Sequence, residues 1–402
     1  MTAPGAWLFL MLLQAPAPDY LAEGLKALEA KQPAAAEPLL RKAVEAEPGD
    51  FAAHFNLALA LSLQNKDAEA VAELRRTLQL KPGLYEANLN LGILLVRDHL
   101  PAEALPVLKE AAEARPKEAR PNLYYAQALF HSGDAAGAAA RYAALLEADP
   151  KSAPAQVGLA RALLRDNKLP EAAEHFRAGG AKDGLLEVAS AYEKAGMKAE
   201  AIAIYKEFPE NAAVRQRLGQ LLVDNKDAAG AIANLEAAVR AAPSTANRLA
   251  LADAYKLAKE NTKMLEQLQL ATAADPNNAD LRMAYGRSLR DEHKLIPAAQ
   301  QFLAATKLQP DSVAAWNELA SALIVNENYA EGLAALDRIR AMGKEIPGDY
   351  FLRAITLDRL KMKPQALAAY QQFLAADNGA HPDQEFQSRQ RMRMIENELK
   401  KK

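Results

Sequence analysis

The side chains best suited to chemistry are thinly spread over this 402-residue chain. Histidines stand at His54, His99, His131, His175, His293 and His381, and no two fall at a spacing that would set a metal-ligating pair on one helix face. Cysteine is absent, which removes disulfides, thiolate metal sites and CxxC redox chemistry together. Gly179, Gly180 and Gly184 stand close together, yet they follow a helical pattern where a phosphate-cradling loop follows a strand. Carboxylates such as Glu147 and Asp149 sit at the ends of helical runs, where turn and capping roles account for them. No G-x-S-x-G, Walker, Rossmann or H-E-x-x-H pattern occurs. The expectation is a non-enzymatic protein with no catalytic, cofactor-binding or metal-binding residues.

Bulk composition narrows the partners. Lys and Arg total 49 against 51 Asp and Glu, so there is no net positive field to draw in phosphate backbones, and nucleic acid is not expected as a partner. Half of the residues are apolar while only 6% are aromatic, so the core must be built largely from Ala and Leu, which favours close-packed helices.

The elements that position every side chain repeat. Read against itself at an offset of 34, the stretch from Phe51 to Pro116 superimposes Leu57 on Leu91, Ala58 on Gly92, Leu61 on Leu95, Ala70 on Ala104 and Leu74 on Leu108. Prolines mark the period at Pro48, Pro82, Pro116 and Pro150, then at Pro209, Pro243, Pro276 and Pro310, each at the end of an amphipathic run. Between successive prolines there is room for two helices and two short turns. A small residue in the first helix (Gly24, Ala58, Gly92, Gly286) precedes by sixteen positions a large apolar one in the second (Leu40, Leu74, Leu108, Phe302). Small against large at fixed spacing lets antiparallel helices interdigitate.

This register resembles the tetratricopeptide repeat, whose W-x2-L-G-x2-Y, A-x3-F and P positions are occupied by His54, Leu57, Ala58, Leu61, Ala70, Leu74 and Pro82 in one unit. Trp316, Leu319, Ala320, Leu323, Gly332 and Leu336 occupy them in another. Eleven such units run in phase over about residues 18 to 380. The pattern itself gives an all-α solenoid of antiparallel helix pairs, in which each repeat buries its face on its neighbours. The resemblance implies a right-handed superhelix of about 11 repeats, with a groove lined by the first helix of every unit.

Two departures divide the array. Pro150 to Pro209 is nine residues short of two units, and the missing length is expected around Arg177–Gly184, as a tolerated deletion or as a hinge. Residues 18–181 then form an N-terminal block of five units, the fifth truncated, and residues 182–380 a C-terminal block of six. Residues 381–402 read as a capping helix, with Asp383 as N-cap, an apolar stripe of Met392, Ile395 and Leu399, and a basic end. Residues 1–17 fall outside the period. Their apolar run Ala6–Leu13 is too short to span a bilayer and suits a signal peptide ending near Gln14–Ala17, although Met1–Gly5 carries no Lys or Arg. The alternative for this segment is a short helix packed on the first repeat.

Function is expected where the repeat leaves side chains free. By the family's register the fifth and ninth places of each first helix face the groove: Leu21 and Leu25, Phe55 and Leu59, Leu89 and Ile93, Leu123 and Gln127. Further along, Arg161 and Arg165 join the same face, near enough in register to carboxylates to pair with them. Apolar residues facing an open groove mark a site for a peptide or helix. Recognition of an EEVD-type tail, which in this family depends on Asn and Lys at groove positions, is not supported, because Leu59, Ile93 and Gln127 hold the ninth places. The reading is a protein-binding scaffold, exported to the periplasm or beyond in a bacterial envelope, with no membrane span in the mature chain. A cytoplasmic location is the alternative to export. Self-association as a structural or assembly component is the alternative to groove binding.

Overall fold

The computed structural model describes residues 19–400. The expected signal peptide at residues 1–17 lies outside them, as do Lys401 and Lys402. Every regular element among the described residues is helical, 23 in all.

Two compact units meet in the chain between Met197 and Lys198. The first holds α1 (Tyr20–Glu29) and α2 (Pro33–Ala46), α3 (Phe51–Ser62) and α4 (Asp67–Leu80), α5 (Tyr85–Arg97) and α6 (Pro101–Ala114), α7 (Ala119–Ser132) and α8 (Ala135–Ala148), α9 (Ala153–Arg165) and α10 (Leu169–Ala178), then α11 (Lys182–Lys194). The second begins with α12 (Lys198–Tyr205) and continues through α13 (Ala212–Asp224) and α14 (Ala228–Ala241), α15 (Thr245–Leu257) and α16 (Asn261–Ala274), α17 (Ala279–Asp291) and α18 (Leu295–Leu308). It closes with α19 (Val313–Val325) and α20 (Tyr329–Ala341), α21 (Pro347–Arg359) and α22 (Lys363–Asp377), and α23 (Pro382–Lys400). Within each unit a first helix packs on its second helix, and the second packs on the next first helix, as α3, α4 and α5 do in one unit and α17, α18 and α19 in the other. This is the solenoid rule in which neighbours supply each other's core.

The small-to-large register is realised atom by atom. A Cβ built on Gly286 would stand 2.6 Å from the Phe302 ring, and equivalent atoms on Gly24, Gly92 and Gly219 would clash with Leu40, Leu108 and Leu235. Those partners, sixteen residues on, are fully buried. The turn inside every repeat is equally regular. One residue in each takes a left-handed backbone: Lys31, Asn65, His99, Gly133, Asn167, Gly196, Lys226, Lys259, His293, Glu327 and Lys361. The nine that are not glycine hold φ between 57° and 63°, a conformation that costs an L-residue about 1–2 kcal/mol. Packing of the two helices that the turn joins must offset that cost.

Adjacent repeats are also tied by charge. Arg41 pairs with Glu69 at 2.6 Å, and the same bond recurs one period later between Arg75 and Glu103. Glu37 accepts hydrogen bonds from Lys66, Gln64 and Arg41, and this donor set, led by Lys66, holds its carboxyl down at about 2 against the opposing pull of burial.

The shortened region differs from the expectation in one respect. Ala153 opens α9 and Lys182 opens α11, 29 residues later, but Ala212 opens α13 only 30 residues after that. The deficit is therefore shared between two repeats and not confined to Arg177–Gly184. It shows in α10, of 10 residues, and in α12, of 8, where α8 and α14 have 14. Of the three glycines, Gly180 turns the chain with φ +68, whereas Gly184 is a packing residue whose Cβ would enter the Phe176 ring. At the C-terminus Ile395 is buried, with Met392 and Leu399 packed on the last core cluster. Asp383 lies inside the first turn of α23 and is not its cap, because the helix already starts at Pro382. Asp377 acts just before it, accepting from the His381 backbone N–H at 2.8 Å.

Candidate functional site

In the first unit the first helices lie side by side, α1 against α3, α5 against α7 and α7 against α9. Neighbouring helices set at this register carry their fifth and ninth places on one face. Leu25 and Leu59, 34 residues apart, are the open pair, 36% and 37% exposed. Leu21, Phe55 and Ile93 are half-buried and lean on the main core cluster, and Leu123 leans on a second cluster. Leu89 is 6% exposed and belongs to the core, so it has no surface to offer a partner. Gln127 is half-buried. Arg161 is exposed and makes no ion pair among the described residues, while Arg165 donates to the Phe130 carbonyl at 3.0 Å and lies over the Phe130 ring. The face thus holds an apolar opening around Leu25 and Leu59, with a cationic stretch on α9.

The second unit has its own first-helix hollow. Between α13 and α15 a cavity of about 360 Å³ is lined by Gln220, Val223, Leu249 and Asp253, of which Leu249 holds a fifth place and Gln220 and Asp253 hold ninth places. Desolvation in this hollow raises the Asp253 carboxyl above its ordinary range, with Lys256 opposing the shift. Arg287 and Arg290 converge on Glu318 of the next first helix, Arg287 at 2.7 Å. Arg290 also reaches Asp291 at 3.1 Å.

The histidines have structural partners or turn positions. His99 and His293 are left-handed turn residues. His54 bonds Glu73, His175 bonds Gln156, and His381 bonds Asp377. Among the described residues no group of three His, Asp or Glu could hold a metal ion.

A feature missed in the sequence explains the residue at the motif's tryptophan position, the place held by His54 and Trp316. Its side chain reaches the carbonyl of the proline six residues earlier. Asn122 does so at 3.1 Å, Gln156 at 2.9 Å, Arg282 at 2.9 Å and Trp316 at 2.8 Å, and Arg215 makes the same bond. The period's prolines therefore end a helix and also supply an acceptor that anchors the next one. The same side chain often takes a polar partner 19 residues on: His54 with Glu73, Gln156 with His175, Arg248 with Gln267, Arg282 with Gln301. In the repeat of Trp316 that place is Ala335. The space a polar partner would fill is left open, and a cavity of about 490 Å³ lies there, between α18 and α20 with α19 as its floor. The signal was present in the sequence, as an alanine where four other repeats place a bonded polar partner at i+19, but only the observed pairing makes it readable.

Three models described as tetratricopeptide repeat match the chain. One covers residues 21–85, 89–153 and 286–349, and the others cover 129–195 and 183–212. Comparison with curated proteins returns no match. Among solved structures, MamA (residues 41 to the end) from Desulfovibrio magneticus RS-1 is 22% identical with a TM-score of 0.38, over 40% of this chain and 90% of that one. A MamA structure titled AMB-1 gives 21% and 0.39, over 40% and 96%. A structure titled as the functional characterization of pilF from Pseudomonas aeruginosa gives 19% and 0.37, over 47% and 88%.

Proposed function

Because the chain belongs to the tetratricopeptide repeat family, whose repeats serve as protein-interaction scaffolds, we propose that it binds a peptide or helix of another protein along the first-helix face of its N-terminal repeats. The observation that carries this reading is the pair Leu25 and Leu59. They are large apolar side chains left open at one register position of two adjacent first helices, with Leu21, Phe55 and Ile93 half-open around them. Apolar surface that packing does not require is kept where a partner covers it. A helix or extended segment laying apolar side chains over Leu25 and Leu59 would continue toward Arg161, which favours an acidic residue at that end of the ligand.

The double variant Leu25→Glu, Leu59→Glu is expected to reduce recovery of the native partner by at least about tenfold in affinity capture, the scale of losing an interface hot spot. Its helical circular dichroism should stay at the wild-type level, because neither residue is in the core. Undiminished recovery would remove this face as the binding site.

We propose in addition that the mature protein resides in the bacterial envelope. What supports it is the apolar run Ala6–Leu13 ahead of a repeat array that starts cleanly after Pro18. No helix among the described residues is long and apolar enough to cross a membrane. N-terminal sequencing of protein from its native host is expected to find a start between Pro16 and Asp19. An intact Met1 or Thr2 terminus would sink the proposal of cleavage.

A further inference from the structure

The trough between α18 and α20 carries more large apolar surface than its role in packing demands. Ile296 and Leu303 stand two turns apart on the α18 wall and are 60% and 42% exposed, while Trp316 and Leu323 form part of the α19 floor. On the opposite wall, Glu331 and Arg338 flank Ala334 and Ala335. Neither charge has an ion-pair partner among the described residues, and Arg338 rests only over the Trp316 ring at 5.6 Å from its centroid. Charges elsewhere on the surface are commonly paired between adjacent repeats, as Arg41 is with Glu69 and Arg287 with Glu318.

We propose that this trough is a self-association surface on which a second copy of the chain docks through a two-fold axis, with the two α20 helices antiparallel. The arrangement of α20 points to that occupant. Glu331 and Arg338 are seven residues apart on one helix face, about 10 Å along the axis. A two-fold axis midway between them passes beside Ala334, a small exposed side chain of the wall, with Ala335 buried beneath it, so the helices approach closely at the crossing. The same operation sets Glu331 of each copy against Arg338 of the other and forms two ion pairs from groups that have none in the single chain. It also brings the Ile296 and Leu303 wall of each copy over the apolar floor of its partner. A foreign helix would need the opposite charge order at matching spacing, whereas a second copy supplies it by symmetry. This surface is on the second-helix side of the later repeats, so the inference holds whether or not the first-helix face binds a peptide.

Light scattering and sedimentation of the full chain test it. The wild type is expected to dimerise, and Arg338→Glu or Glu331→Arg alone should weaken the dimer by about tenfold or more, since each sets like charges together at two places. The double reversal Glu331→Arg, Arg338→Glu should restore it, because the reversed pair is again self-complementary. Ile296→Lys should dissociate the dimer without changing helical circular dichroism, as the side chain is exposed. A strictly monomeric wild type would overturn the proposal and leave the trough to a foreign helix. A dimer insensitive to both single reversals, or one that the double reversal leaves dissociated, would overturn it as well.

Discussion

Phe302→Ala is expected to destabilise the later repeats by about 3–5 kcal/mol, the range for emptying a fully buried aromatic site. Phe302 has no exposed surface and fills the space that Gly286 leaves by having no Cβ. The pair is therefore a unit, and a double-mutant cycle shows it. Gly286→Ala alone places a Cβ 2.6 Å from the ring. The overpacking costs about 1–3 kcal/mol, partly offset by the roughly 1 kcal/mol that alanine gains over glycine inside a helix. Phe302→Leu alone leaves a void. Combined, the two changes recreate the alanine–leucine pair that Ala58 and Leu74 already form, so the double variant should be about 1–2 kcal/mol more stable than the sum of the singles. Because repeats couple mainly to their neighbours, the loss should be read locally, as faster amide exchange in α17, α18 and α19, and also in the global melt. A double variant no better than the sum would show that the two positions do not pack as one unit.

How far the fold was legible follows from the same pair. The spacing from Gly286 to Phe302 and from Gly92 to Leu108 is fixed by the chain, and the period carries it from repeat to repeat, so the packing partners could be named from letters alone. The site was less legible. Leu59 and Leu89 occupy register positions that both point to the first-helix face, yet one is open and the other is core, because register sets the direction of a side chain while its neighbours decide how much of it stays uncovered. The shared shortening of α10 and α12 escaped because glycine is visible in the sequence whereas a helix that ends without one, as α12 does at Tyr205, is not. The trough beside Trp316 escaped for a related reason. It is created by what Ala335 does not fill, and an absence becomes visible only once its polar counterparts Glu73, His175, Gln267 and Gln301 are seen bonded in other repeats.

Arg353→Ala is the second large effect, about 3–5 kcal/mol, and it arises from charge left without a partner. Arg353 is 4% exposed on α21, where its guanidinium bonds Asp337 of α20 and, at 3.3 Å, the buried Glu345. Removing it strips Glu345 of its enclosed cation and leaves only Arg340, at 3.4 Å on the solvent side. Asp349 suffers too. Burial already raises its carboxyl above the ordinary range, and Arg353 is one of the groups that oppose the rise. An acid whose folded-state pKa lies above its unfolded value destabilises the fold while it is ionised and is relieved when it is protonated, so the deficit of the variant should be largest near neutral pH and shrink on acidification. That sign distinguishes a charge effect from a cavity, which would be indifferent to pH over the same range. Replacing both partners, as in Arg353→Met with Glu345→Leu, should recover much of the loss, because a buried pair removed together costs far less than one member removed alone. Calorimetric melts of the wild type and the two variants at neutral and mildly acid pH decide the matter. A deficit in Arg353→Ala that is equal at both pH values, or unrelieved in the double variant, would mean that packing of the arginine stem, and not its charge, joins α20 to α21.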